Sequence, residues 1–270
     1  MEGKCMRKTV EALIGALLFI IAICSLISLD SNEKVQVYDS YQYLAINKEE
    51  ELTVQLIIID EYSIISNNKE VSFVLKGQNN LKIEEYSIYE LNELNTNEYL
   101  VYQVNMKVSE KQLKKKKNKY TELVLIDRNK EYSTDLGTIL IEKVNISESN
   151  KNINIMATLF SLDGYSFNIV AENDTDSKVC INDVYCNVIW NNNGYGVLRE
   201  NAIEIKPHTT NEQSYHLSDN LKDKYVVIRP IILYTYNGKE YRVLSHESIY
   251  FNTTLSERDI KNKLGRSKDE

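Results

Sequence analysis

The sequence predicts an all-β fold in which β-sandwich domains follow one membrane-spanning helix near the amino terminus. Two observations predict it: residues 12–29 form an uncharged apolar segment, and the long remainder consists of short alternating segments separated by turn-forming residues. The chain has 270 residues, enough for one large domain or two ordinary ones, each with its own core. Two prolines and nine glycines exclude collagen-like and low-complexity chains.

Residues 12–29 are long enough to cross a bilayer as a helix. At a rise of 1.5 Å per residue they span about 27 Å, close to the ~30 Å hydrocarbon core. Lys4, Arg7 and Lys8 precede the segment, whereas Asp30 and Glu33 follow it. The positive-inside rule therefore predicts a cytoplasmic tail (1–11), a transmembrane helix (12–29) and an extracytoplasmic remainder. We expect a single-pass protein of the cell membrane.

Three fates of this segment share a basic start and an apolar middle: an uncleaved anchor, a cleaved signal peptide and a lipid-modified cysteine. Cleavage would use Ala22 and Cys24 as the small residues at the cut site. A lipoprotein needs a small residue before the modified cysteine, whereas Ile23 precedes Cys24. Apolar residues continue past each of these positions, which favours retention as a signal anchor.

From about residue 33 the apolar pattern alternates with period two, which is typical of strands with one buried face. The predicted strands cover residues 52–59, 71–77, 99–108, 120–126 and 137–144, and then 165–173, 178–190, 202–207, 214–217, 225–236 and 240–251. A polar stretch without periodicity, 144–152, separates the two sets. We therefore predict tandem β-sandwich domains at 33–146 and 152–255 and a flexible tail at 256–270; one long sandwich is the alternative.

Turn chemistry in the second set carries a family resemblance. The strand at 165–173 ends in Asn173, Asp174, Thr175 and Asp176, and a later strand ends at Pro207. Residues 165–252 thereby resemble the Ig-like domains of exported, membrane-anchored proteins of low-GC Gram-positive bacteria. Those domains carry an Asn-Gly and a Pro-Gly-Lys turn where this chain has Asn187-Val188 and Pro207-His208. The resemblance implies an Ig-like fold and export, and it leaves the activity open.

Motifs for catalysis, cofactors or metals do not emerge. His208 and His216 flank a predicted hairpin, yet the spacing of a zinc site is missing. Acidic residues from Glu172 to Asp183 follow calcium-loop spacing, but Ser177 occupies the position that needs glycine. Ser166 lacks the second glycine of a nucleophile elbow. We therefore predict a protein that is not an enzyme, with no catalytic, cofactor or metal residues.

The cysteines divide between compartments in this topology. Cys5 is cytoplasmic, Cys24 lies in the membrane, and Cys180 and Cys186 are extracytoplasmic. A hairpin tip between Cys180 and Cys186 would bring them within disulfide range, since bridged Cα atoms lie about 4.4–6.8 Å apart. One continuous strand would separate them by about 20 Å. The strand pattern favours free thiols.

The sharpest charge feature is a basic island in an otherwise acidic chain. Residues 111–119 contain six lysines, while the net charge of the whole chain is -7. We predict that Lys114, Lys115, Lys116 and Lys117 contact an anionic surface, either lipid headgroups or an envelope polymer. The simpler interpretation is a solvated loop between two strands. Acidic composition and the predicted location exclude nucleic acid as a partner.

The predicted function is a membrane-anchored extracytoplasmic binding or accessory module with an envelope protein or anionic polymer as partner. One alternative is an accessory subunit of a membrane complex, such as a transporter or envelope machinery. An envelope hydrolase is the other, and it would need a cluster of titratable groups in a cleft.

The topology can be tested by adding protease to intact protoplasts. Because the basic flank precedes residue 12 and acidic residues follow residue 29, we expect digestion of the ectodomain and a short membrane-bound amino-terminal remnant. Immunoblots against both ends of the chain give the result. Protection of the carboxy-terminal half would contradict the orientation, and a soluble product starting near Ser25 would demonstrate cleavage.

Overall fold

The structure, a computed structural model, describes residues 35–61, 64–67, 71–128, 130–146, 150–159, 166–186, 202–221, 223–251 and 255–265. The predicted membrane helix at 12–29 and the cytoplasmic tail at 1–11 lie outside these residues. Within the described ranges, no helix is long and apolar enough to cross a membrane.

The described part of the chain is built mainly of strands, so the all-β prediction is confirmed. The strands are β1 (Val35–Val37), β2 (Ser40–Asn47), β3 (Glu51–Asp60), β4 (Val71–Gly77), β5 (Leu81–Lys82), β6 (Tyr86–Glu90), β7 (Leu100–Ser109), β8 (Lys117–Asp127), β9 (Lys130–Val144), β10 (Ile153–Leu159), β11 (Ser166–Asn173), β12 (Val179–Tyr185), β13 (Ile203–Ile205), β14 (Thr209–His216), β15 (Tyr225–Arg229), β16 (Ile231–Tyr236), β17 (Lys239–Leu244) and β18 (Ile249–Phe251). Two α-helices accompany them, α1 (Ile64–Asn67) and α2 (Glu257–Lys263). Three 3-10 turns also occur, η1 (Asn92–Leu94), η2 (Glu110–Gln112) and η3 (Asp219–Leu221).

These strands form four sheets. The central sheet has the order β18-β15-β2-β9-β8-β4-β5, and the outer sheet has the order β1-β3-β7-β6. A three-stranded sheet, β10-β11-β14, and a distal sheet, β13-β12-β16-β17, come from the second half of the chain. Most pairs are antiparallel, but β2 runs parallel to both of its neighbours, β9 and β15.

Alternate side chains of β2 enter two different cores. Leu44 and Ile46 belong to the first core, which the central sheet shares with the outer sheet. Tyr43 and Ala45 belong to the second core, which the central sheet shares with the three-stranded and distal sheets. Successive side chains of a strand point to opposite faces, so the central sheet is covered on both faces. The sheets therefore stack in three layers.

The central sheet also joins the two predicted domains. Strand β15, from the second half, pairs with β2 from the first, and Ser40 lies opposite Tyr225. By contacts, residues 35–270 form one compact unit. The proposed boundary at 144–152 falls between β9 and β10, where the chain leaves the central sheet. The division at that point remains a prediction about independent folding, but the two segments share a sheet.

A buried arginine strengthens this junction. Arg229 donates hydrogen bonds to the carbonyl oxygens of Ser245 and Ala45, and its Nη2 lies 2.5 Å from a carboxylate oxygen of Glu50. Burial of Glu50 raises its pKa, but hydrogen bonds from Arg229 and the Asn47 amide outweigh this effect and lower the pKa overall. Arg229 thus links strand β15 to the turn that follows β2.

Pro230 divides what the pattern predicted as one strand, 225–236. Proline has no N–H to donate to a sheet and is found at edges or breaks. Here it separates β15, which pairs with β2, from β16, which pairs with β12. The proline therefore marks the place where the chain passes from the central to the distal sheet.

The predicted flexible tail contains a helix. Ser256 and Asp259 form a reciprocal capping box at the start of α2, and Ile260 is completely buried. Ile260 packs with Ile57, Ile59 and Val101 on the face of the outer sheet that points away from the first core. The prediction was wrong for this part of the tail because only Ile260 is fully buried, with half-buried Leu255 and Leu264 packed beside it, and so few apolar residues form no long stripe in the sequence.

Ile260→Ala tests the contribution of α2. In a soluble fragment of residues 33–265 we expect cooperative unfolding and a loss of about 2–5 kcal/mol in the free energy of unfolding, because the variant leaves a cavity. Denaturant titration followed by circular dichroism gives the value. Arg258→Ala changes an exposed residue of the same helix and should stay within about 0.5 kcal/mol of wild type. Equal effects of the two variants would show that the helix does not pack as described.

Candidate functional site

The predicted lysine contact lies in an ordered turn, not in a loose loop. Turn η2 carries a capping box between Ser109 and Gln112, and β8 already begins at Lys117. The buried side chain of Asn118 donates to the carbonyl of Lys115 at 2.7 Å and accepts from the Lys115 amide at 3.3 Å. A side chain that binds both groups of one residue fixes the backbone of the turn. The lysines therefore project from a defined scaffold.

The structure separates Lys117 from the other three predicted lysines. Its Nζ lies 2.9 Å from the hydroxyl of Tyr185 and 3.6 Å from a carboxylate oxygen of Glu142. Tyr43 donates to the same carboxylate oxygen at 3.1 Å, and its ring meets that of Tyr185 edge to face at 5.5 Å. We call these four residues the Tyr43 cluster. Lys117 is engaged with the protein itself.

Charge is balanced within the Tyr43 cluster. Glu142 is a carboxylate on the central sheet with a side chain that is 7% exposed, and a buried carboxylate is tolerated when paired and hydrogen-bonded. Burial raises the pKa of Tyr43, and the negative charge of Glu142 raises it further. The hydrogen bond with Tyr185 raises the pKa of Lys117, as does Glu142, although partial burial acts in the opposite direction. At neutral pH the cluster therefore holds a neutral Tyr43 and a positive Lys117.

Lys114, Lys115 and Lys116, which we call the lysine turn, remain exposed. The nearby Lys143 forms an ion pair with Glu110 and donates to the carbonyl of Leu113. Because Glu110 is occupied in this way, no ion pair joins the lysine turn to a carboxylate within the described ranges. Three adjacent ammonium groups on a rigid turn are suited to binding an anionic surface through charge.

The histidines do not come together. His208 precedes β14 and His216 ends it, so the two lie at opposite ends of one strand. His208 Nε2 is 3.1 Å from Asp176, and His216 Nδ1 is 2.8 Å from Ser166 Oγ. In the described part of the chain no group of three metal-ligating side chains occurs. The two histidines therefore do not flank a hairpin, because the single strand β14 separates them.

Ser166 and His216 form a hydrogen-bonded pair that sequence reasoning did not connect. They lie opposite each other on β11 and β14. A serine nucleophile is activated through Nε2 of a histidine whose Nδ1 a carboxylate holds. In this pair the serine is hydrogen-bonded to Nδ1 of His216, so Nδ1 is not available to an orienting carboxylate. The pair serves to join two strands.

The acidic run forms a turn between two sheets. Asn173 is fully buried, and its Nδ2 lies within hydrogen-bonding distance of the carbonyl oxygens of Ser177, Ile205 and Lys206. Its Oδ1 accepts from the amide and the hydroxyl of Thr175. Because β11 and β12 belong to different sheets, the turn is a crossing between sheets and not the tip of a hairpin. Asn173 fastens two such crossings together.

No disulfide joins Cys180 to Cys186. Cys180 lies on β12 and Cys186 directly follows that strand, in the arrangement that keeps the two sulfurs apart.

Comparison with known proteins identifies no family. No family model matches the sequence, and no curated protein matches it. Among solved structures, a protein of unknown function from Porphyromonas gingivalis W83 is 11% identical with a TM-score of 0.26; the match covers 78% of this chain and 99% of that one. A structure of the YadV chaperone is 6% identical with a TM-score of 0.22, covering 78% of this chain and 98% of the other.

From the Tyr43 cluster we predict how the stability of the protein changes as the pH rises above 10. In the folded protein the pKa of Tyr43 lies above its ordinary value of about 10. The protonated hydroxyl therefore contributes to the free energy of unfolding in full below pH 10, and this contribution is lost as the pH rises above 10. Tyr43→Phe removes the titrating group. Between pH 10 and pH 11 we therefore expect the variant to lose about 1 kcal/mol less stability than wild type. Denaturant titrations of the 33–265 fragment at both pH values measure the difference.

At neutral pH the same variant should be less stable by about 1–3 kcal/mol, because Glu142 loses a buried hydrogen-bond donor. Tyr89→Phe is the matched control, since Tyr89 is 53% exposed. Identical alkaline losses in wild type and Tyr43→Phe would mean that Tyr43 does not keep its proton in the folded state.

Proposed function

We propose that this chain is a membrane-anchored extracytoplasmic binding module that holds an anionic envelope surface through its lysine turn. The apolar segment at 12–29 would anchor it as a single pass with the amino terminus in the cytoplasm. Tandem β-sandwiches, the second of them Ig-like, would carry the binding surface outside the cell. The module would act without catalysis.

The arrangement of the second half supports an Ig-like sandwich. Three strands, β10-β11-β14, and four strands, β13-β12-β16-β17, both contribute side chains to the second core. The chain crosses between these sheets after β11 and again after β13, as in sandwiches of Greek-key type. Asn173, the first residue of the turn that carried the family resemblance, joins the two crossings.

The observation that carries the binding proposal is the exposed lysine turn on an ordered scaffold. Asn118 fixes its backbone, and Lys117 is held by Glu142 and Tyr185. An anion reaching Lys114, Lys115 and Lys116 therefore meets positive charge that is already in place. This matters in a chain with a net charge of -7, because the rest of the surface repels anions.

Vesicle binding tests the proposal. We expect the 33–265 fragment to sediment with vesicles containing phosphatidylglycerol and to stay in solution with phosphatidylcholine alone. Lysines near an anionic membrane contribute about 1 kcal/mol each, so changing Lys114, Lys115 and Lys116 to Gln should weaken binding by about 100-fold. Binding should also fall steeply as salt shortens the screening length to ~8 Å near 0.15 M.

A matched triple variant separates this effect from net charge. Lys82, Lys130 and Lys151 are exposed lysines elsewhere, and changing them to Gln removes the same charge. This control should keep most of its affinity, and both triple variants should unfold at the wild-type denaturant midpoint. An equal loss of vesicle affinity in the two variants would show that the lysine turn acts only through the overall charge of the protein. If the wild-type fragment does not bind the vesicles even at low salt, the lysine turn is a solvated turn without a binding role.

A further inference from the structure

A cavity of about 550 Å³ lies beside the outer sheet, on the face that points away from the first core. Its volume is within the range of small-molecule sites, roughly 300–1,000 Å³. Strands β3 and β7 supply one wall, and residues from η1, β15 and β18 supply others. The side chains that line it are those of Gln55, Ile57, Leu91, Glu93, Leu94, Gln103, Tyr225, Tyr250 and Leu255.

Two glutamines are held in place within the cavity wall. Gln55 and Gln103 both donate through Nε2 to one oxygen, Oδ1 of Asn105, at 3.0 and 3.2 Å. The hydroxyl of Tyr225 donates to Oε1 of Gln55. A side-chain amide has two N–H donors and one carbonyl acceptor. Within the described part of the chain these amides have no other side-chain hydrogen bonds, so each glutamine keeps one N–H, and Gln103 also keeps its carbonyl oxygen, for a ligand.

The tyrosines add neutral polar groups to the same cavity. Burial raises the pKa of Tyr225, and the nearby Tyr250 raises it further. Burial likewise raises the pKa of Tyr250. Both hydroxyls therefore stay protonated at neutral pH. Apolar surface comes from Ile57, Leu94 and Leu255, so amide, hydroxyl and hydrocarbon groups line a single cavity.

Charge narrows the class of ligand. Among the described residues that line the cavity, Glu93 is the one charged side chain and none is basic, so an anion is disfavoured. A purely apolar ligand would leave the free amide groups without partners. Sugars present adjacent hydroxyls that both donate and accept, together with apolar C–H faces. Glycoside hydrolysis requires two carboxyl groups, and the lining residues supply only one, which favours binding over cleavage.

We propose that this cavity binds a neutral oligosaccharide, with Gln55 and Gln103 contacting its hydroxyls and Leu94 and Leu255 packing against its ring. The cavity shares no residue with the lysine turn or with the Tyr43 cluster. Its test is therefore independent of the vesicle experiment, and either can fail alone.

The experiment uses the full chain in a detergent without a sugar headgroup, with triacetylchitotriose, maltotriose and cellotriose as probes. Saturation-transfer NMR and calorimetry should detect binding of at least one probe with a dissociation constant of about 1 mM or below. Gln103→Leu removes the free amide groups, and Leu91→Trp fills the cavity while keeping both glutamines. Gln103→Leu should weaken binding about tenfold, which corresponds to the loss of about one hydrogen bond. Leu91→Trp should weaken binding by at least about tenfold, because the larger side chain occupies the space of the ligand.

Gln213→Leu is the matched control, because Gln213 is a half-buried glutamine on the distant strand β14. It should bind the probe as wild type does, and circular dichroism should show all three variants folded. Binding within twofold of wild type in both Gln103→Leu and Leu91→Trp would overturn the proposal. So would the absence of binding by all three probes at about 10 mM.

Discussion

The rest of the structure depends on one constraint, which is that both faces of the central sheet must be buried. Strand β2 directs Leu44 into one core and Tyr43 into the other. Exposing either face of the sheet to water would therefore cost the free energy gained by burying its apolar side chains. The outer sheet covers one face, and the three-stranded and distal sheets cover the other. The positions of the lysine turn, the Tyr43 cluster and the cavity all follow from this stacking. Glu142, for example, is buried because the central sheet has no solvent-facing side at that position.

Patterning predicted most of the longer strands, and two of the strands that it missed have unusual burial patterns. Strand β4 was predicted with its observed bounds, Val71–Gly77, because its buried residues alternate. Strand β2 was missed because nearly every residue along it is buried, which removes the alternation. Strand β6 was missed for the opposite reason, since none of its residues is buried. Sheet order could not be predicted because local pattern does not encode which distant strands pair.

The candidate sites show the same limit. Charge density alone pointed to the lysines, and exposure of Lys114–Lys116 agrees with that interpretation. Lys117, in contrast, is held by Tyr185 and Glu142, which the fold brings together from strands far apart in sequence. The cavity residues come from β3, β7, η1, β15 and β18, and no local motif joins them. Such sites become visible only when the sheets are assembled.

The parallel pairing of β2 with β15 has a consequence for the order of folding. Strand β15 is synthesised well after β2, because residue 225 lies far along the chain from its partner, residue 40. Until then β2 presents one unpaired edge and apolar side chains that await their cover. Contacts over such long sequence separation slow folding and lengthen the time during which aggregation competes. The central sheet therefore cannot be complete until β15 is available, and a chain that lacks residues 225–229 cannot close it.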